Sequence, residues 1–252
     1  MGKSIIPWMG GKRRLAKHIL PHLEGTRTYV EPFCGGASMF FMKEPSKVEV
    51  INDINGELVN LYRVVKFHLD ELVRHFRWAL VSREEFLTQR AMDPATLTDV
   101  QRAARFYYLM KAGFGGRVTN PSFGTAKTAP VKLNILRLEH DLSDAHIRLA
   151  RTTIENRAWD QCIKQYDSDQ TVFYLDPPYW QTAGYGQEFG FDHYEKMAAL
   201  MAEAEGRIVL SINDHPDIRK VFNGFEMQQL DITYTLDKYN KTKASELLIT
   251  NR

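Results

Sequence analysis

The chain has 252 residues, 44% of them hydrophobic and 25% charged, with a formal net charge of +2, the composition of a globular protein with one sizeable core or one core carrying an inserted lobe. No stretch approaches the roughly 18–20 apolar residues of a membrane-spanning helix, and Met1 to Trp8 lacks the apolar centre of a secretion signal, so a cytoplasmic location and no membrane partner are expected. Cys34 and Cys162 lack metal-ligand spacing and fall in apolar segments, which predicts free thiols and no metal site.

In chain order, the loop Pro7-Trp8-Met9-Gly10-Gly11-Lys12 feeds a helix expected from about Arg13 to Leu23. A short strand, Thr28-Tyr29-Val30, leads into the Gly-rich turn Glu31-Pro32-Phe33-Cys34-Gly35-Gly36-Ala37-Ser38 and a second helix. Val48 and Val50 alternate with charge in a strand over Lys47 to Ile51 that ends at Asn52-Asp53-Ile54-Asn55. This is a β-α-β unit. A Gly-rich turn after its first strand and an acid after its second is how doubly wound α/β proteins hold an adenosine-containing cofactor.

From Glu57 to about Ala150 the periodicity is helical, with Val100, Ala103, Ala104, Tyr107 and Tyr108 on one face and Gly113 as the stop. Gly113 to Thr125 reads as a loop too long and too basic to be mere connection. A helix resumes over Leu133 to about Leu149. Strands then return at Thr153–Glu155, Thr171–Leu175 and Arg207–Ile212, with helices over Tyr194–Ala204 and Pro216–Phe222, and two closing strands, Met227–Thr235 and Glu246–Thr250. The expected architecture is an α/β domain of Rossmann-like type in two parts, 1–56 and 151–252, interrupted by a mainly helical lobe over 57–150.

Charge is uneven along this plan. Asn60 to Arg151 holds 15 Lys/Arg against 9 Asp/Glu, a net of +6, leaving −4 for the rest, and Gln101 to Lys132 has no acid at all. A solvated face usually mixes signs, so this stretch suggests a phosphate-rich partner, although chance clustering on a surface gives the same pattern.

The apolar run Val172 to Leu175 ends in Asp176-Pro177-Pro178-Tyr179. Two prolines fix φ, lack N–H groups and hold the strand end rigid. An exocyclic amine whose N–H groups were held by the Asp176 carboxylate and the Pro177 carbonyl would have its lone pair turned toward an electrophile. Tyr179 would supply a stacking face, worth roughly 1–3 kcal/mol per base in single-strand recognition. An ordinary strand end, with Asp176 capping a turn and Tyr179 packing, is the alternative.

Together, Trp8-Met9-Gly10-Gly11-Lys12, Glu31 to Ser38 with Asp53-Ile54-Asn55, and the later Asp176-Pro177-Pro178-Tyr179 resemble, in order and spacing, the Dam-type DNA adenine-N6 methyltransferases of the alpha class. The resemblance covers essentially the whole chain. It implies S-adenosylmethionine as cofactor, duplex DNA as partner and the N6 amine of a flipped-out adenine as target. It implies that Trp8, Gly11, Lys12, Glu31, Phe33, Gly35, Asp53, Trp159 and Asp176 lie at the cofactor, with Asp53 at the ribose hydroxyls, and that Asp176, Pro177 and Tyr179 form the catalytic pocket. Trp8 is equally readable as a buried anchor, Asp53 as a helix cap, and Trp159 as core, with Asn156-Arg157 as the other candidates at the cofactor adenine. Arg117 is the candidate base reader, and Lys111, Lys127 and Lys132 the candidate phosphate contacts. The loop here is shorter than in the family's better-known members, so their target sequence does not transfer. Gln181 to Gly190, with Trp180, is either a cover for the base or a plain surface loop. Ser211-Ile212-Asn213-Asp214-His215 resembles the family's Ser-Asn-His-Asp segment, with His215 more readily a cap than a base. A cytosine-amine or RNA methyltransferase and a catalytically idle DNA-binding module of the same fold are the alternatives.

Overall fold

A computed structural model describes the backbone of residues 2–124, 131–182, 189–235 and 241–252, and the side chains of these except 232–235 and 241–244. Seven strands, β1 (Thr28–Glu31), β2 (Val48–Asn52), β3 (Thr153–Glu155), β4 (Thr171–Leu175), β5 (Arg207–Asn213), β6 (Glu226–Thr235) and β7 (Lys241–Thr250), form one sheet in the order β3-β2-β1-β4-β5-β7-β6. The first five are parallel; β7 runs antiparallel between β5 and β6. The chain winds outward from β1 to β3, then returns to the other side of β1 at β4. In sheets of this kind ligands bind in the crevice beyond the carboxyl ends of the strands at that reversal.

The pleat sorts the strand residues into two cores. Tyr29, Ile51, Val172, Tyr174, Val209 and Leu248 enter one; Val30, Val50, Phe173, Leu175, Ile208, Leu210, Leu247 and Ile249 enter the other. Successive side chains of a strand point to opposite faces, so the apolar run of β4 is buried at every position because both faces are covered. The second face is closed by α8 (Trp159–Tyr166), α9 (Phe191–Glu203) and α10 (Pro216–Val221). The first face is closed by α1 (Ala16–Ile19), α2 (Ser38–Met42), α3 (Gly56–Phe67), α6 (Asp99–Ala112) and α7 (Ile135–Leu149), whose buried residues join the strand residues in one cluster.

The helix expected over Arg13–Leu23 is a 3-10 turn at Lys12–Arg14, then α1, then a second 3-10 turn at Leu20–Leu23, where Pro21 has no N–H to continue the α ladder. Within the insertion, α4 (Leu69–Phe76) and α5 (Arg83–Ala91) pack on α6, which starts at a Thr98/Gln101 capping box and buries Ala103, Phe106, Tyr107, Tyr108, Leu109 and Met110. The closing hairpin is longer than expected on its second strand, starting at Lys241. His18 and His22 lie four residues apart, but the described residues contain no group of three or more possible metal ligands.

Candidate active site

Beyond the ends of β1, β2 and β4 lies a cavity of about 420 Å³, within the range of cofactor sites. Trp8, Gly11, Lys12, Glu31, Phe33, Gly35, Asp53, Trp159 and Asp176 all line it. Residues as far apart in the chain as Trp8 and Asp176 therefore converge where the sheet topology reverses.

At one end stands Asp176, buried by its neighbours but with 23% of its side chain open. Its Oδ1 lies 2.6 Å from the Lys12 ammonium, which also donates to the Gly10 carbonyl at 3.0 Å and sits 4.4 Å from the centre of the Tyr179 ring. Burial pushes the Asp176 carboxyl up to about 6, while Lys12 and the Ser211 hydroxyl pull it down and Glu246 pushes it further up. Ser211 in turn shares a hydrogen bond with Tyr174 at 2.8 Å. The Tyr194 hydroxyl donates to the Pro178 carbonyl at 2.6 Å, and Asn213 grips the backbone of Trp180 through both amide atoms, at 3.1 Å each. The loop after β4 is thus pinned from α9 and β5. Trp180 itself donates to Asp217 and does not appear in the cavity wall.

Asp53 lies in the cavity wall at the end of β2. Its two oxygens accept the backbone N–H groups of Gly35 and Asn55, each at 2.9 Å, leaving lone pairs on both oxygens for further donors. It is not the helix cap: Asn55 caps α3, accepting from Glu57 and Leu58. Asn52, 1% exposed, ties the neighbourhood together by donating to the carbonyls of Pro32 and Arg157 and accepting the Arg157 N–H.

Gly35 has φ +45°, and a Cβ there would fall 2.4 Å from the indole nitrogen of Trp8. The glycine turn is therefore built around Trp8, which is at once an anchor and part of the wall. Gly11 differs: its φ is ordinary and a Cβ would meet nothing closer than 3.4 Å. No neighbour among the described residues demands a glycine there, which fits close approach by a ligand.

Glu31 is 2% exposed; its Oε1 accepts from the Tyr29 hydroxyl at 2.7 Å and the Phe40 N–H at 3.1 Å. Its Oε2 is buried with no hydrogen-bond partner among the described residues. Burial pushes the carboxyl up to about 8, against those two hydrogen bonds. A buried acid with an unused oxygen on a cavity wall has room for a further donor.

The far wall is aromatic. Phe33 stacks on Trp159 at 5.9 Å and meets Phe189 edge-on at 5.8 Å; Phe189 stacks on His193 at 4.4 Å, and the Trp159 indole donates to His193 Nδ1 at 3.2 Å. Neither Phe189 nor His193 is singled out by sequence. Phe189-Gly190-Phe191 opens a helix in the chain, and nothing local says which ring turns inward. Arg157 also lines the cavity, paired with Glu155 at 3.0 Å, while Asn156 donates to the Asp53 carbonyl.

The basic stretch is less free than its sequence suggests. Arg102 pairs with Glu57 and Asp99, and Arg105 donates to the carbonyls of Gln89 and Arg90. Lys111 is half-buried against the Tyr107 ring, and burial lowers its pKa. Arg117 and Lys132 are exposed; Lys127 lies outside the described residues, as does most of the loop after Gln181. Arg117 stands on a loop closed by hydrogen bonds from Phe114 to Ser122 and from Gly124 to Ala112, each 2.8 Å. His215 is a cap, accepting the Asp217 N–H at the start of α10.

A doubly wound sheet with a cavity at its reversal, an acid closing β2 and a rigid Asp-Pro-Pro-Tyr loop closing β4 defines a Rossmann-like methyltransferase domain. A family model described as D12 class N6 adenine-specific DNA methyltransferase matches residues 8–236. The Type II methyltransferase M.CviBI of Paramecium bursaria Chlorella virus NC1A is 24% identical over 255 residues, spanning 99% of this chain and 97% of the relative. Type II methyltransferase M1.LlaDCHI of Lactococcus lactis subsp. cremoris is 28% identical over 276 residues, spanning 97% and 93%. The DNA adenine methylase of Escherichia coli (strain K12) is 30% identical over 200 residues, spanning 70% and 65%. This chain belongs to the D12 class of N6 adenine-specific DNA methyltransferases, whose methyl donor is S-adenosylmethionine.

The cavity suits that donor: an unused buried carboxylate oxygen for its ammonium, a carboxylate with open lone pairs for its diol, an aromatic wall for its adenine, and a glycine with room beside it.

Proposed function

We propose that this enzyme methylates the N6 amine of an adenine flipped out of duplex DNA, with Asp176, Pro177 and Tyr179 as the base pocket. The observation that carries this is the meeting of Asp176 and Tyr179 around one ammonium at the edge of the cofactor cavity. When bound, S-adenosylmethionine supplies a methyl group on a sulfonium, transferable by direct displacement, so no strong base is required. Asp176 accepts an amine N–H, and the Pro177 carbonyl takes the second. Tyr179 stacks on the ring. Once nitrogen has gained its methyl, a carboxylate pushed up to about 6 is able to hold the departing proton. Flipping costs a few kcal/mol, repaid by this stacking and hydrogen bonding.

Glu31 holds the cofactor's ammonium, Asp53 its ribose, and Phe33 and Trp159 its adenine; Trp8, Gly11, Gly35 and Lys12 complete the wall. Residues 57–150 carry target recognition and 1–56 with 151–252 the chemistry. Arg117 contacts a base edge, while Lys111, Lys127 and Lys132 meet phosphates. Of these, Lys111 is the weakest candidate because it is half-buried. The enzyme works in the cytoplasm, on the nucleoid. No helix among the described residues is long and apolar enough to cross a membrane.

Radiolabelled S-adenosylmethionine incubated with genomic DNA, with the parent chain and Asp176→Ala in parallel, tests this. Label on N6-methyladenine from the parent and none from the variant is expected. Equal labelling by both removes Asp176 from the reaction, and label on cytosine would point to the other amine. Arg117→Ala is expected to change the methylated-site profile obtained by sequencing while leaving cofactor affinity intact; an unchanged profile takes Arg117 out of base readout.

A further inference from the structure

Lys12 is a cation with 3% of its side chain exposed. Burial of an ammonium is costly unless it is paired and hydrogen-bonded, and its partners here are specific. They are the Asp176 carboxylate at 2.6 Å, the Gly10 carbonyl at 3.0 Å and the face of Tyr179 at 4.4 Å from the ring centre. The first and third are the two features a flipped adenine needs: an acceptor for its amine and a surface for its ring. A base that stacks on Tyr179 while its amine reaches Asp176 must lie on the ring face turned toward Asp176. Stacked atoms sit about 3.5–4 Å apart, which is the space this ammonium fills.

We propose that Lys12 is a built-in stand-in for the target base: without DNA its ammonium occupies the amine-and-ring site, and each captured adenine must displace it. This rests on Asp176 and Tyr179 being the base pocket. The chain permits the exchange. Lys12 follows Gly10 and Gly11, the first at φ +76° and the second exposed. Its flexible four-carbon stem can keep the Gly10 carbonyl while giving up the carboxylate. The contact holds the pocket in its binding geometry and satisfies a carboxylate faced by Glu246 and otherwise supported by Ser211. It also sets a threshold. A base that offers no amine, or that stacks poorly, does not outcompete an ion pair and a cation–π contact together.

The test uses a duplex that keeps the adenine found methylated by site mapping and carries 2-aminopurine as the base beside it, whose fluorescence rises when that adenine leaves the stack, with S-adenosylhomocysteine present, at pH 8 so that Asp176 is ionised. Lys12→Ala removes the competitor and is expected to raise the signal of the neighbouring 2-aminopurine at least threefold at saturating enzyme. Lys12→Arg, which keeps the cation, is expected to stay near the parent. An unchanged or lower signal in Lys12→Ala overturns the proposal, and so does loss of S-adenosylhomocysteine binding, which would make Lys12 a cofactor ligand. If Lys12→Ala does not fold, the side-chain 15N resonance of Lys12 in the parent decides, assigned by its loss in Lys12→Arg. It should shift when base-flipped duplex is added and stay put with a duplex lacking the site; no shift refutes displacement. Asp176→Ala keeping full methyl transfer would instead bring down the base-pocket assignment, and Lys12 with it.

Discussion

Burial raises the titrations of Asp53, Asp176 and Glu31, and the last two set the pH behaviour near neutrality. Asp176, pushed up to about 6 by burial against the pull of Lys12, accepts an amine N–H only as a carboxylate. Single-turnover methylation should therefore be level above about pH 7 and fall about tenfold per unit below the Asp176 titration, as for a single required ionisation. A rate flat down to pH 5 would show that ionised Asp176 is not needed. Glu31, pushed up to about 8, gives the opposite message about stability. Its value in the folded protein exceeds that of the unfolded chain, so the stabilisation it contributes is present at low pH and lost as pH rises through the window ending at about 8. A ligand bearing an ammonium favours the ionised form. Affinity for S-adenosylhomocysteine should then climb with pH toward about 8, approaching tenfold per unit, with proton release seen by calorimetry in buffers of different ionisation heat. Glu31→Gln should flatten that dependence.

At the scale of elements, the loop carrying Arg117 owes its shape to its neighbours. Arg90 of α5 donates to the Pro121 carbonyl at 3.3 Å, Phe86 packs on Phe123 at 5.5 Å, and Arg83 lies over the same ring. Gly116 lies against the Pro7–Trp8 backbone, where a Cβ would come within 3.1 Å, and Val118 and Thr119 reach the cavity wall. The loop is held between α5 and the cofactor site. Arg90→Ala should broaden the methylated-site profile several-fold in off-site reads while leaving S-adenosylhomocysteine affinity within twofold, checked by sequencing and titration. The sequence announced this loop through its glycines and basic charge, yet not its supports, since Arg90 stands 31 residues before Pro121 and only the fold brings the two together. Likewise Arg102 and Arg105 belong to the acid-free stretch, and Glu57 and the carbonyls of Gln89 and Arg90, distant in sequence, reach them only through the fold.

For the molecule as a whole, the insertion shares one core with the sheet, Leu142 and Tyr107 belonging to the same cluster as Tyr29 and Val172. A buried ionic group reinforces the junction: Arg148 of α7 pairs with Glu49 of β2, which also holds Lys43 at 2.9 Å, and Arg148 donates to the Phe40 carbonyl at 2.8 Å. Heat unfolding should accordingly follow one transition by circular dichroism and by tryptophan fluorescence. Arg148→Met should destabilise by about 3 kcal/mol, because it leaves a buried carboxylate with one partner fewer. Two separated transitions would contradict a shared core.

What the sequence determined by itself was local chemistry and its order. The strand-ending Asp176-Pro177-Pro178-Tyr179, the Gly-rich turn from Glu31 and the acid at Asp53 each announce a backbone geometry and a reactive group, because proline, glycine and a carboxylate after a buried strand act within a few residues. Only the tertiary structure decided which of these groups meet. It set the Lys12 ammonium against Asp176 in the cavity wall, turned Phe189 and His193 into the wall beside Trp159, and left Glu31 with a buried oxygen that no described group bonds. The physical reason is that ion pairing, stacking and burial depend on distances between segments far apart in the chain, which the reversal of the sheet between β3 and β4 brings together and no local pattern records.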